Sequence, residues 1–341
     1  MGLAEARAHV ASCPELVRLL PRGRDWLAMQ DALPRADRHP LYEWLELPDA
    51  FPETLESVAA LCAALRAPIR GDTGTRRRRL IAGDDSDYHS AMDELYMAAA
   101  LAECGLTVTL GSPDIEIDDR ADSLFLELYS AHKTWAMGRL QVALSDALAP
   151  YPAGAQMEAP HDTLRLTSEQ RRRVVAAAIE VAASEPVEPA PVDLEDIVPV
   201  SELRLAIVPG LPFVGLMDSA GFRHGDPSTL IHAAIEEKHG QLRSSPTPLV
   251  LAIDLAGSDF SSHMWALRVA FEGAPTICVP TVPGLVGVLG YWQGRGSLRP
   301  YMRVWVGNDA WTDPQPALLG RVIDCLGKPG PRPGTAPAES A

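Results

Sequence analysis

Three acidic residues in one stretch of the chain stand where a surface carboxylate would not be placed. In the run SLFLELY, strand residues alternate faces, so Leu124, Leu126 and Leu128 point one way and Phe125, Glu127 and Tyr129 the other. Glu127 is thus a carboxylate within an apolar strand, where burial without a partner is costly. The same alternation in PDIEI sets Asp114 and Glu116 opposite Ile115 and Ile117. Upstream, Glu94 shares a helical stripe with Ala91, Ala98 and Leu101. Neighbouring strands lie ~5 Å apart, close enough for Asp114 and Glu127 to meet. Converging carboxylates raise one another's pKa unless a cation lies among them. Mg²⁺, with Mn²⁺ as a substitute, suits such a set, because it is a hard ion that takes a few carboxylates together with water and phosphate oxygens. The chemistry would be phosphodiester hydrolysis, in which the ion orients water and offsets charge on the phosphate.

Taken in order, helical Glu94, then G-x-x-V-T-L from Gly105, then Pro113-Asp114, then Glu127-x-Tyr129, the segment 87–130 resembles the PD-(D/E)xK superfamily of restriction-endonuclease-like nucleases. The resemblance implies an α/β fold, a mixed sheet flanked by helices, with Glu94, Asp114 and Glu127 as catalytic metal ligands for Mg²⁺. The family carries lysine two residues after the strand glutamate. This chain has Tyr129 there, and a phenol with a reference pKa near ~10 is neutral at pH 7. The run STLIHAAIEEKHGQL followed by PLVLAIDLAG is similar to a helix and strand of some bacterial members, in which Lys or Gln of the helix faces the site. That likeness implies Lys238 as the replacement catalytic cation and Gln241 as a phosphate or base contact. Lys133 is a further candidate beyond the strand end. Plainer roles stay open beside these: Glu94 complementing the positive end of its helix, Pro113-Asp114 opening a turn, Glu127 buried against an arginine, and Lys238 solvated.

The expected function is that of a metal-dependent nuclease, or a nuclease-derived protein, acting on DNA or RNA. The alternative is a catalytically inactive module of the same fold that binds a protein or nucleic-acid partner. A net charge of -15 favours solubility and opposes broad attraction to a phosphate backbone. Two basic clusters, Arg76 to Arg79 and Arg171 to Arg173, read as a solvated loop and a solvated helix face. Lysine is scarce beside arginine, a bias expected of a high-GC bacterial genome. Five dispersed cysteines without a C-x-x-C pair fit neither a disulfide framework nor a zinc site, and read as free thiols in a cytoplasmic protein. No secretory signal or membrane-spanning run is present, so no membrane partner is expected. H-E-x-x-H, G-K-[ST] and G-x-S-x-G patterns are all lacking.

The elements that must position these residues follow from periodicity and punctuation. Residues 1–80 read as a helical N-terminal region, its best helix Pro52 to Arg66, followed by an exposed polar loop over GDTGTRRRRLIAGDDSD. An α/β domain is expected over 87–326. It opens with a helix from Tyr88 to Cys104 stopped by Gly105, three short strands to Tyr129, and a helix from Thr134 to Leu148. A capped helix from Thr167 to Ser184 precedes a proline-rich stretch at 185–199, read as extended linker inserted in the domain or marking a boundary. Strands at Leu203 to Val208, Pro248 to Leu255 and Tyr301 to Val306, and a helix from Ser228 to Leu242, complete it. Residues 327–341 read as a disordered tail.

Overall fold

Proline opens three of the first five helices in the computed structural model, which describes residues 2–47, 52–82, 85–119, 122–130, 133–158, 166–199, 203–216, 227–254, 282, 284–292, 298, 302–308, 311–314 and 316–326. Helix α1 (Gly2–Ser12) is followed by α2 (Pro14–Leu19), α3 (Trp26–Asp31), α4 (Pro40–Leu45) and α5 (Pro52–Arg66). Pro14 and Pro40 sit in first turns, where a missing N–H costs no helical bond. A short strand β1 (Arg70–Gly71) leads into α6 (Thr73–Ala82). Asp72, just before that helix, accepts the Thr75 N–H at 3.1 Å. The expected exposed loop is therefore corrected: a local cap, absent from any apolar pattern, turns the arginine run into a helix.

Helix α7 (Asp85–Glu103) ends at Gly105, whose φ of +78° suits glycine. Strands β2 (Thr107–Leu110), β3 (Ile115–Asp119) and β4 (Asp122–Ser130) then form an antiparallel meander, with Leu110 opposite Ile115 and Ile115 opposite Leu126. Next come α8 (Lys133–Leu148), β5 (Ala153–Glu158), α9 (Ser168–Ala183), β6 (Ala190–Pro191), β7 (Arg204–Pro209) and β8 (Val214–Leu216). The chain ends its described course with α10 (Pro227–Ser244), β9 (Leu249–Asp254), β10 (Leu285–Trp292), β11 (Met302–Gly307) and α11 (Ala317–Leu326).

These elements make two compact units: Met1–Ala32 with His39–Ala131 and Gly225–Ala341, and Leu33–Arg38 with His132–His224. The division differs from the expected one at residues 80 and 87, because the N-terminal helices share a core with the sheet. In the first unit the described strands form a mixed seven-stranded sheet ordered β1-β2-β3-β4-β9-β10-β11. Leu124, Leu126 and Leu128 of β4, Val250 and Ala252 of β9, and Leu289 of β10 pack in one cluster with Tyr88, Leu95 and Ala98 of α7 and Val322 of α11. Burying one such side chain contributes ~1.5–3 kcal/mol, so this leucine face anchors the site-bearing strand. Strand β4 runs parallel to β9, which pairs Glu127 with Leu251 and Tyr129 with Ile253 on the opposite face.

The second unit is a separate mixed sheet ordered β6-β7-β5-β8, with its own apolar cluster drawn from α8, α9 and the strands. Thr167 and Gln170 form the expected capping box. The proline-rich linker is corrected, since Val192, Leu194 and Val198 are buried and Ala190 and Pro191 pair with Ile207 and Ala206 of β7. Proline is tolerated there because β6 is the edge strand. No described helix is long and apolar enough to cross a membrane. The tail at 327–341 lies outside the described residues.

The free-thiol reading is also corrected. Cys13 is bonded to Cys62, and Cys104 to Cys325, while Cys278 lies outside the described residues. Sequence separations of 49 and 221 explain why no local spacing announced the pairs. Intact mass under non-reducing conditions should show two disulfides. Reduction should lower stability by roughly 2–4 kcal/mol for each bond, read as a fall in melting temperature. An unreduced protein that alkylates at all five cysteines would contradict both bonds.

Candidate active site

The β2–β3 turn and the middle of β4 meet where the antiparallel register, continued one residue beyond Ile115, sets Asp114 opposite Glu127. Asp114 Oδ2 accepts the backbone N–H of Leu128 at 2.9 Å, which ties the turn to the strand. Glu127 points away from the leucine face and toward α10, a helix that buries Ala234, Ile235 and Leu242. From α10 the Lys238 Nζ donates to Glu127 Oε1 at 2.7 Å and lies 4.0 Å from Asp114 Oδ2. The structure thus brings together Asp114, Glu127 and Lys238, three residues singled out from sequence.

Glu94 stands differently. It belongs to α7, which packs on the leucine face, and both of its carboxylate oxygens are taken. Arg76 Nε donates to Oε2 at 2.5 Å and Arg79 Nη1 to Oε1 at 2.8 Å. The same Arg76 donates through Nη2 to the Gly111 carbonyl at 2.9 Å and lies 3.8 Å from Asp114 Oδ1. Sequence reasoning missed Arg76 and Arg79, having read them as solvated. The available signal was their i, i+3 spacing, which puts both on one helical face once the run is helical. The carboxylates are linked in series: Arg76 reaches both Glu94 and Asp114, Lys238 reaches both Asp114 and Glu127, and Arg79 joins at Glu94 alone.

The electrostatics follow from burial. The Glu94 carboxyl is pushed above its ordinary value by burial and then by the Asp114 charge, opposed by Arg76 and Arg79. Asp114 is likewise raised, by burial and then by Glu127, against Lys238, the Leu128 N–H and Arg76. Both shifts favour the protonated forms, the response expected when like charges share a site of low polarity. Tyr291, directly across from Asp254 in the β9–β10 pairing, is fully buried and its hydroxyl has no hydrogen-bond partner among the described residues. Its phenol is pushed well above the ordinary value by burial and then by Asp93, Asp254, Asp114 and Glu94, so it stays neutral.

Tyr129, at the position where the resemblance leads one to expect lysine, is buried and donates its hydroxyl to Glu237 Oε2 at 3.1 Å. It tethers β4 to α10. Tyr129→Phe should lower stability by about 1 kcal/mol through loss of the bond to Glu237, measured by urea unfolding, because exposed Glu237 regains water. A loss above ~3 kcal/mol would mean the hydroxyl does more than tether. Gln241, one turn beyond Lys238, is exposed. The Lys133 side chain lies outside the described residues.

Asp114 and Glu127 are hard oxygen donors of the type a small divalent cation takes together with water. Glu94 does not, since two arginines occupy it. Among the described residues no group of three or more His, Cys, Asp or Glu side chains is arranged to hold an ion. The chain matches no known family, no curated protein and no solved structure at a significant level.

Proposed function

We propose that the protein is a metal-dependent nuclease, or derives from one, acting on DNA or RNA phosphodiesters through Asp114, Glu127 and Lys238. The observation that carries this reading is the meeting of a carboxylate from the β2–β3 turn and one from β4 with an ammonium from a helix distant in sequence. The succession α7, β2, β3, β4, α10, β9, with β4 parallel to β9, is consistent with a restriction-endonuclease-like core into which the second unit is inserted.

In this reading Asp114 and Glu127 hold the ion, and Glu94 leaves the ligand set to work with Arg76 as a brace. Mg²⁺ or Mn²⁺, when bound, would polarise the phosphate and acidify a water. Lys238 supplies the positive charge that Tyr129 cannot, and directs it at a phosphate oxygen. Arg76 holds the Gly111–Asp114 turn in place, so that Asp114 faces β4.

A second reading is favoured by the ion pairing itself. Lys238 closes on Glu127 as a satisfied salt bridge, as it would in a catalytically inactive module that binds a protein or nucleic-acid partner. Cleavage assays with Mg²⁺ and Mn²⁺ on single- and double-stranded DNA and RNA separate the two. Metal-dependent cleavage supports the nuclease; retention of a nucleic acid without cleavage supports the module.

A further inference from the structure

We propose that Lys238 is the resident cation of the Asp114–Glu127 pair, so that a divalent ion enters only by displacing its ammonium. The inference rests on the reading of Asp114 and Glu127 as a metal-holding pair. It adds that the metal-free site is closed by the chain itself.

Position is the first argument. The ammonium lies 2.7 Å from Glu127 Oε1 and 4.0 Å from Asp114 Oδ2, within reach of both carboxylates. An ion with ligand distances of ~2.1 Å, shared by the same oxygens, must occupy much the same space. An ammonium and a divalent cation repel strongly at such separations in a partly dry site, so the two occupants exclude one another.

The second argument is the asymmetry of fixation. Glu127 is 3% exposed, and Asp114 is pinned through Oδ2 to the Leu128 N–H and flanked on its other oxygen by Arg76. The donors are fixed. Lys238 and Asp114 are equally exposed, at 19%, but Asp114 is tied to a backbone N–H whereas Lys238 carries its charge on a flexible four-carbon stem, so Lys238 is the member of the trio free to leave. Lysine from a strand neighbour of Glu127 would be held beside the ion by the sheet. Lysine from α10 is held only by the helix, and once displaced it is available to a phosphate oxygen of the substrate.

The test is Mn²⁺ binding by the full-length protein without nucleic acid, followed by calorimetry and by loss of the free-ion paramagnetic signal. Wild type, Lys238→Met, Lys238→Gln and the double variant Asp114→Asn/Lys238→Met are compared, each checked for folding by its thermal transition. Removal of the ammonium should tighten Mn²⁺ binding by about tenfold or more, and the double variant should lose that gain. Lys238→Gln keeps a hydrogen-bonding group without charge and should follow Lys238→Met; it carries the test if the methionine variant does not fold. If wild type binds Mn²⁺ and both single variants bind equally or more weakly, the displacement is overturned while the metal-holding pair stands. If no form binds at millimolar Mn²⁺, the metal reading itself falls, and the displacement with it.

Discussion

Asp114→Asn is expected to reduce Mg²⁺- or Mn²⁺-dependent cleavage by about a hundredfold or more without lowering the stability of the metal-free protein. Even partners one step removed from a metal cost roughly 10–100-fold when lost, and Asp114 would touch it. Asparagine keeps the size of the side chain and its acceptor for the Leu128 N–H, so the turn stays tied to β4. What disappears is a charge that the folded protein disfavours, because burial and Glu127 raise the Asp114 pKa. Glu94 and Asp114 both keep protons in the folded state at pH values where the unfolded chain has released them. The stability this contributes is complete below the ordinary carboxylate range and is lost as pH rises through the raised values. Asp114→Asn should therefore flatten the fall in stability across that window. Cleavage rates and urea unfolding at mildly acidic and neutral pH measure both halves. An Asp114→Asn protein that cleaves at the wild-type rate would remove Asp114 from the chemistry.

Arg76→Met should lower stability by about 3 kcal/mol. Arg76 and Glu94 are both buried, 8% and 5% exposed, and breaking a buried ion pair from one side costs ~3–5 kcal/mol because the remaining charge is stranded. The lower end applies here, since Arg79 still reaches the other oxygen of Glu94. For a unit of this size the melting temperature should fall by roughly 6–12 °C. Glu94→Gln added to Arg76→Met should recover part of the loss, since the double variant no longer leaves the buried Glu94 charge without Arg76. A double-mutant cycle with a coupling near zero would show that Arg76 and Glu94 do not act as a pair.

The stretch from α7 to β4 was legible because its signals are local: an apolar stripe, a stop glycine, and alternation in SLFLELY that fixes which way Glu127 points. That Asp114 and Glu127 could meet was legible too, from the closeness of neighbouring strands, whereas the register that sets them opposite one another came from the structure. What could not be read is whatever depends on distant partners. Four arginines in a row are locally a solvated loop, and partners distant in sequence, Glu94 above all, bury Arg76 and partly bury Arg79. Proline at 191 argues against a strand until β7 supplies an edge that needs no donor from it. The resemblance directed attention to Lys238, and its place beside Glu127 depends on α10 and β4 meeting across 111 residues of sequence.

The parallel pairing of β4 with β9 has a consequence for how the chain is made. When β4 leaves the ribosome its meander partner β3 is already present, but its other edge, Phe125 to Ser130, has no strand beside it until β9 follows. The second unit lies in between, and roughly 120 residues at ~5–20 residues per second take on the order of ten seconds. During that time an apolar strand with open N–H and C=O groups is a template for wrong pairing, with another nascent chain or within its own. Glu127, in the middle of that edge and still without Lys238, is a charge that any such mispaired strand would have to bury. The same residue that the finished protein uses in its site would discourage aggregation of the unfinished one.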